Sequence, residues 1–223
     1  MDKNSVRMRD VPLRNPALIE LLTEFVDKFF EDDMDFIDKH IVARDHKEFH
    51  CTTLEYKNLL QSKPHVGYPE HAYLLTSAGL SDWGGGEGVI PEAKRLLLKE
   101  WQVKINSFIG AKYNALCAYY PADGYIGWHT NDNAPGYNIL FVYNTTPDGY
   151  FIYEDPITKE IIKLHDTGGA WNVRVGYYGA TPEKDKHLWH AAATKSPRVN
   201  IAFVLDQEEM WLDMIDEIGD AEA

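Results

Sequence analysis

Residues 198–205 read RVNIAFVL, a run of β-branched and aromatic residues held between Pro197 and Asp206. Such a run reads as a strand, and because side chains alternate along a strand, Arg198 and Asn200 share one face. Six stretches before it have the same character: YNALCAYY (113–120), YNILFVYN (137–144), GYFIYED (149–155), EIIKLHD (160–166), AWNVRVGYYG (170–179) and HLWHAA (187–192). Each is bounded by Gly, Pro, Asn or Asp. Seven or eight short strands in this span indicate a sandwich or barrel, with EDPITKEI (154–161) as a hairpin turning on Pro156 and Thr158.

Helix-period spacing flanks the strands. In PALIELLTEFVDKFFE (16–31), Leu18, Leu22, Phe25, Val26 and Phe29 recur at intervals of three and four, with Pro16 in the first turn. A second helix opens at Pro91, turns Ala93, Leu97, Trp101, Ile105 and Phe108 to one side, and stops at Gly110. Residues 32–88 are mixed and polar, with the breakers KPHVGYP and SDWGGGEG. The tail DQEEMWLDMIDEIGDAEA (206–223) carries eight acidic residues and no basic one, with Trp211, Met214, Ile215 and Ile218 at helical spacing. It reads as a terminal helix laid on the domain, or as an acidic arm for a basic partner. The chain thus divides into a helical and irregular N-terminal extension packing on the core (1–110), a β core (111–205) and an acidic C-terminal helix or tail (206–223), together one globular domain.

Composition narrows the function classes. Hydrophobic residues make up 44% of the 223 and aromatics 13%, enough for a large core. No apolar run approaches the ~20 residues that cross a bilayer, and MDKNSVRMRD lacks the apolar stretch of a signal peptide, so a cytoplasmic protein without membrane contact is expected. Two cysteines, Cys51 and Cys117, have no disulfide or metal spacing and read as reduced core thiols. The net charge of −13 disfavours sequence-independent adhesion to nucleic acid. WGGGEG from Trp83 lacks the lysine of a phosphate-cradling loop and reads as a surface loop near the pocket mouth.

The chemistry concentrates in GWHTND (127–132) and LWHAA (188–192). On a strand, His129 and Asn131 share a face, and His190 on a neighbouring strand can complete a facial triangle for a divalent metal. Iron would prefer a carboxylate at position 131. Asp132 supplies one, but one residue further along a strand points to the opposite face unless the strand ends after Thr130 or bulges, and NDNAPG is dense in turn formers. Asn131, Asp132 and a two-histidine or metal-free site all stay open. Arg198, on a hairpin from His190, offers a fork that binds a carboxylate through two hydrogen bonds, with Tyr120, nine residues before His129 on the adjoining strand, as an assisting hydroxyl. His40, His46, His50, His65, His71, His165 and His187 stand alone and read as structural or exposed; Trp128 and Trp189 read as buttresses.

Through YYPADGYIGWHTN (119–131), LWHAA and RVNIAFVL, the chain from Tyr120 to Leu205 resembles the Fe(II)/2-oxoglutarate-dependent oxygenases, nearer the AlkB-like and prolyl-4-hydroxylase-like branches and closest to phage-encoded members with His-Thr-Asn. The resemblance implies a mainly β fold with flanking helices, a double-stranded β-helix of jelly-roll or cupin type. It implies Fe(II) on His129 and His190 with Asn131 or Asp132, 2-oxoglutarate on Arg198 with Tyr120 and Asn200, and hydroxylation or demethylation of a protein, nucleotide or nucleic acid with succinate and CO2 as co-products. Val204 stands where many AlkB-like members carry a second arginine, which weighs against nucleobase repair. The alternative is a non-catalytic interaction protein that keeps the fold without the metal carboxylate.

Overall fold

The computed structural model describes residues 7–30, 51–62, 70–75, 91–131 and 135–220. Asp132, the glycine-rich run from Trp83, and His40, His46, His50 and His65 lie outside the described residues.

Two antiparallel sheets face each other. The strands are β1 (Arg9–Val11), β2 (Glu70–His71), β3 (Tyr73–Leu74), β4 (Tyr113–Tyr120), β5 (Tyr125–His129), β6 (Gly136–Asn144), β7 (Tyr150–Glu154), β8 (Ile161–His165), β9 (Ala170–Tyr178), β10 (His190–Ala193) and β11 (Arg198–Leu205). Among the described residues one sheet runs β1-β9-β6-β11-β4-β3 and the other β2-β5-β10-β7-β8. From β4 onward the chain passes back and forth between them, with only the β7–β8 hairpin staying in one sheet, so the core is a double-stranded β-helix. Within residues 1–110 three short strands join the sheets, β1 beside β9, β2 beside β5 and β3 beside β4.

Alternation along the strands builds two apolar layers. Between the sheets lie Tyr120, Leu140, Val142, Phe151, Tyr153 and Ala202. On the outer face of the six-stranded sheet, Cys117, Ile139, Phe141, Val199, Ile201 and Phe203 meet the helices. Both faces of β11 are therefore covered, and all eight of its residues are buried.

Helix α1 (Pro16–Phe30) buries Leu18, Leu22, Phe25 and Phe29, and Phe25 stacks on Trp101 with centroids 4.2 Å apart. Trp101 belongs to α3 (Glu92–Ile109), which ends as Gly110 takes a left-handed φ of 63° and donates its N–H to Asn106 O. Its buried face is turned from the expected one: Leu98, Trp101, Ile105 and Ile109 are buried, Leu97 and Phe108 are half-buried, and Ala93 is exposed. Contact with both α1 and the sheet draws in a stripe wider than the sequence spacing suggests. Helix α4 (Glu208–Gly219) buries Trp211 and Ile218, and Trp211 Nε1 donates to Asn138 O at 3.1 Å. On the five-stranded sheet sits α2 (Leu54–Gln61), whose buried Lys57 pairs with Glu154 and reaches over the rings of Trp128 and Trp189.

The β7–β8 turn runs through residues 156–158, as the sequence indicates, and Asp155 before it adds the anchor: Asp155 Oδ1 accepts from the N–H groups of Ile157 and Thr158, each at 2.8 Å, while Thr158 Oγ1 accepts from the Glu160 N–H at 3.4 Å. Lys159 takes the positive φ, 62°. No described helix is long and apolar enough to cross a membrane, and Cys51 and Cys117 are both buried thiols.

Candidate metal and carboxylate centre

His129 closes β5 and His190 opens β10, and the two are direct Cα partners across the ladder. The register slips just beside them, since Ala192 pairs with Ile126, so Gly127 and Trp128 oppose the single Ala191. A bulge of this kind re-aims the side chains next to it. The rings lie 4.1 Å apart between centroids, tilted by 52°.

Hydrogen bonding sets the tautomers. His129 Nδ1 lies 2.8 Å from Gly127 O and His190 Nδ1 lies 2.9 Å from Leu188 O. A carbonyl oxygen can only accept, so Nδ1 carries the hydrogen in both rings and, in the neutral form, the lone pair sits on Nε2. Burial pushes the His190 pKa down to about 4, which keeps that ring neutral near pH 7. Phe151 stacks on His190 at 5.3 Å and Tyr178 flanks it at 5.0 Å, so the ring has little room to turn.

The strand ends at His129, one residue before the point the sequence argument required, so strand alternation does not choose between Asn131 and Asp132. Asn131 is half-buried and outside any strand. No set of three His, Cys, Asp or Glu side chains able to hold a metal gathers among the described residues.

Two expectations about the carboxylate side are corrected. β10 and β11 do not form a hairpin: residues 194–197 cross from one sheet to the other, and Arg198 enters from the six-stranded sheet. Tyr120 likewise lies not on a strand adjoining His129 but opposite Arg198 on β4, with its ring 4.9 Å below the guanidinium carbon. The crossover is fixed by side chains, with Thr194 Oγ1 donating to Ser196 O at 2.7 Å and Ser196 Oγ to Asn144 Oδ1 at 2.7 Å.

The Arg198 side chain is fully buried, and its Nε donates to Asp166 Oδ2 at 2.8 Å. NH1 and NH2, equally buried, have no hydrogen-bond partner among the described residues, and neither does Oδ1 of the buried Asn200. Buried guanidinium N–H groups without acceptors are costly, and a carboxylate satisfies two at once. Asp166 was not picked out from the sequence, where it only marks the end of a strand. Arg174 was missed as well, although an arginine between Val173 and Val175 inside a strand is a signal for a buried charge. The residues present fit the groups implied by the resemblance: two imidazoles that keep Nε2 for a ligand suit a divalent metal, and the NH1–NH2 edge of Arg198 suits a carboxylate.

No protein-family model matches the chain, and no curated protein sequence matches it. Among solved structures, a Pseudomonas putida prolyl-4-hydroxylase is similar at a TM-score of 0.43 and 10% identity, over 92% of this chain and 96% of that one. A Clostridium thermocellum endo-1,4-beta-D-xylanase is similar at 0.23 and 11%, over 41% and 22%. CapF is similar at 0.23 and 9%, over 86% and 44%. At such distances the chemistry of the site rests on the chain's own residues.

Proposed function

We propose that this chain is an Fe(II)- and 2-oxoglutarate-dependent oxygenase. The observation that carries the reading is the coexistence, in one β-helix, of two histidines fixed in the Nε2-ligating tautomer and an arginine with two buried N–H-bearing nitrogens lacking an acceptor. His129 and His190 would hold the metal through Nε2, with Asn131 or Asp132 as the third protein ligand. Arg198 would take the distal carboxylate of 2-oxoglutarate, with Tyr120 packed against its guanidinium face and Asn200 beside it. When bound, the metal and 2-oxoglutarate would supply the chemistry by which one molecule of dioxygen is consumed, one oxygen atom going to succinate as CO2 leaves and the other to the hydroxylated substrate. The protein's own contribution is placement: the backbone carbonyls orient the imidazoles, and the buried arginine orients the cosubstrate in a site screened from water. The substrate class proposed is a protein side chain, a nucleotide or a nucleic-acid base, with nucleobase repair disfavoured by Val204.

Anaerobic titration with Fe(II) and 2-oxoglutarate tests this. The expected result is the weak visible charge-transfer band of a chelated keto acid, followed by succinate formation on admitting oxygen. Neither band nor succinate, under conditions in which a related oxygenase gives both, sinks the reading and leaves a binding protein built on the same fold.

A further inference from the structure

Asp166 follows β8 and lies outside the metal and cosubstrate residues, yet its buried carboxylate joins two arginines and an asparagine. Oδ2 accepts from Arg198 Nε at 2.8 Å and from Asn144 Nδ2 at 3.2 Å, and Oδ1 forms an ion pair with Arg174 NH1 at 2.8 Å. Its backbone N–H donates to Gly149 O at 2.9 Å. Arg174 is engaged on every side, with Nε on Asp10 Oδ1 at 3.0 Å and NH2 on the carbonyls of Leu164 and His165 at 3.3 and 3.0 Å. All three charged side chains, Arg174, Asp166 and Arg198, are 0% exposed.

Two consequences follow from this arrangement. Asp166 neutralises one of the two buried guanidiniums, and Arg174 has Asp10 as a second, half-exposed partner, so the Arg198 end carries the uncompensated positive charge. With Nε committed to Asp166, the part of Arg198 left for a ligand is its NH1–NH2 edge, whose two parallel N–H bonds match one carboxylate. The fold also keeps room for this brace: a Cβ on Gly149 would stand 2.2 Å from both Asp166 Oδ2 and Asn144 Nδ2.

We infer that Asp166, braced by Arg174, is a positioning residue that locks Arg198 by its Nε, so that the NH1–NH2 edge selects keto acids bearing a second carboxylate over those without one. The inference rests on the reading of Arg198 as the cosubstrate arginine and extends it to a residue that does not touch the cosubstrate. An arginine side chain has four rotatable bonds. Held only by the Tyr120 ring, its fork would be shared among several orientations, and the ordering cost would be met on binding rather than beforehand.

The experiment compares two keto acids with the same chelating end, 2-oxoglutarate and 2-oxopentanoate, by anaerobic calorimetric titration of the Fe(II) protein. A metal-free arm compares succinate with butyrate by thermal shift. In the wild-type protein, 2-oxoglutarate is expected to bind on the order of 100-fold more tightly than 2-oxopentanoate, and succinate alone to raise the melting temperature. Arg198→Met should bring the ratio close to one. Asp166→Asn should lower it about tenfold through 2-oxoglutarate alone, leaving 2-oxopentanoate within about twofold, a split that a merely structural role would not produce. An unchanged ratio in Asp166→Asn, or equal weakening of both keto acids, overturns the inference while leaving the Arg198 reading intact. Should Asp166→Asn fail to fold, Arg174→Lys, which keeps the charge but loses the fork, is expected to lower the ratio, and an unchanged ratio there overturns the inference too. A wild-type protein with no preference overturns the Arg198 reading itself, and this inference with it.

Discussion

His129 and His190 are cross-strand partners whose rings stand 4.1 Å apart, each donating its Nδ1–H to a carbonyl two residues earlier in the chain. The bonds are local, the pairing is long-range, and together they set both the tautomer and the spacing of the proposed ligand pair.

The His190 environment makes the metal-free protein sensitive to acid. Its pKa is about 4 in the folded state against 6.5 for an unperturbed ring, so between these values the unfolded chain holds a proton that the folded chain refuses. Stability from this residue is fully present above about pH 6.5, falls as the pH drops, and levels off below about pH 4, a loss of about 3 kcal/mol. Urea midpoints across that range should fall in wild type and fall less in His190→Gln; parallel profiles would exclude His190 as the source.

The third ligand is separable by paired substitutions. If Asn131 binds the metal, Asn131→Ala should weaken Fe(II) binding by on the order of 100-fold and remove the keto-acid band, while Asp132→Ala leaves both. If Asp132 binds, the pattern reverses. Asn131→Asp should tighten Fe(II) binding in the first case, because a carboxylate is the stronger donor, and leave it little changed in the second.

Gly149→Ala places a methyl group against the Asp166 and Asn144 side chains. Overpacking of this kind costs about 1–3 kcal/mol, and the displaced atoms are those that hold Arg198. Thermal unfolding should report the destabilisation, and thermal shift with succinate should report a second, independent loss. A stable Gly149→Ala protein with an undiminished succinate response would contradict the packing described around Asp166.

Lys57 ties α2 to the five-stranded sheet through Glu154, with side-chain exposures of 3% and 16%. Lys57→Ala leaves Glu154 with only the exposed Lys159 at 3.8 Å as a cation and should cost about 1–3 kcal/mol, whereas Lys57→Met with Glu154→Gln should cost less, because no buried charge loses its partner. Denaturant titration of the two variants checks the order.

Much of the secondary structure is legible in local patterns. YNALCAYY and RVNIAFVL coincide with β4 and β11, and Gly110 ends α3, because β-branched runs and a left-handed cap express preferences of a few neighbouring residues. The anchor of the hairpin turn was harder to read, since Asp155 acts there through a side chain that competes with the backbone, which the Pro-Ile-Thr order does not announce. The early end of β5 at His129 depends on pairing with β10, a partner 61 residues away.

By itself the sequence determined most strands of the β core, the helices opening at Pro16 and Pro91 and the terminal helix, the shared face of Arg198 and Asn200, and the choice of His129, His190 and Arg198 as candidates, all of which rest on spacing within short segments. Only the tertiary structure decided that β10 and β11 belong to opposite sheets, that Tyr120 lies under Arg198, and that Asp166 and Arg174 brace it from behind. The physical reason is that a buried charge is tolerable only with partners in place, and here those partners come from β1, β6, β9 and the end of β8, brought together by the crossing of the chain between two sheets.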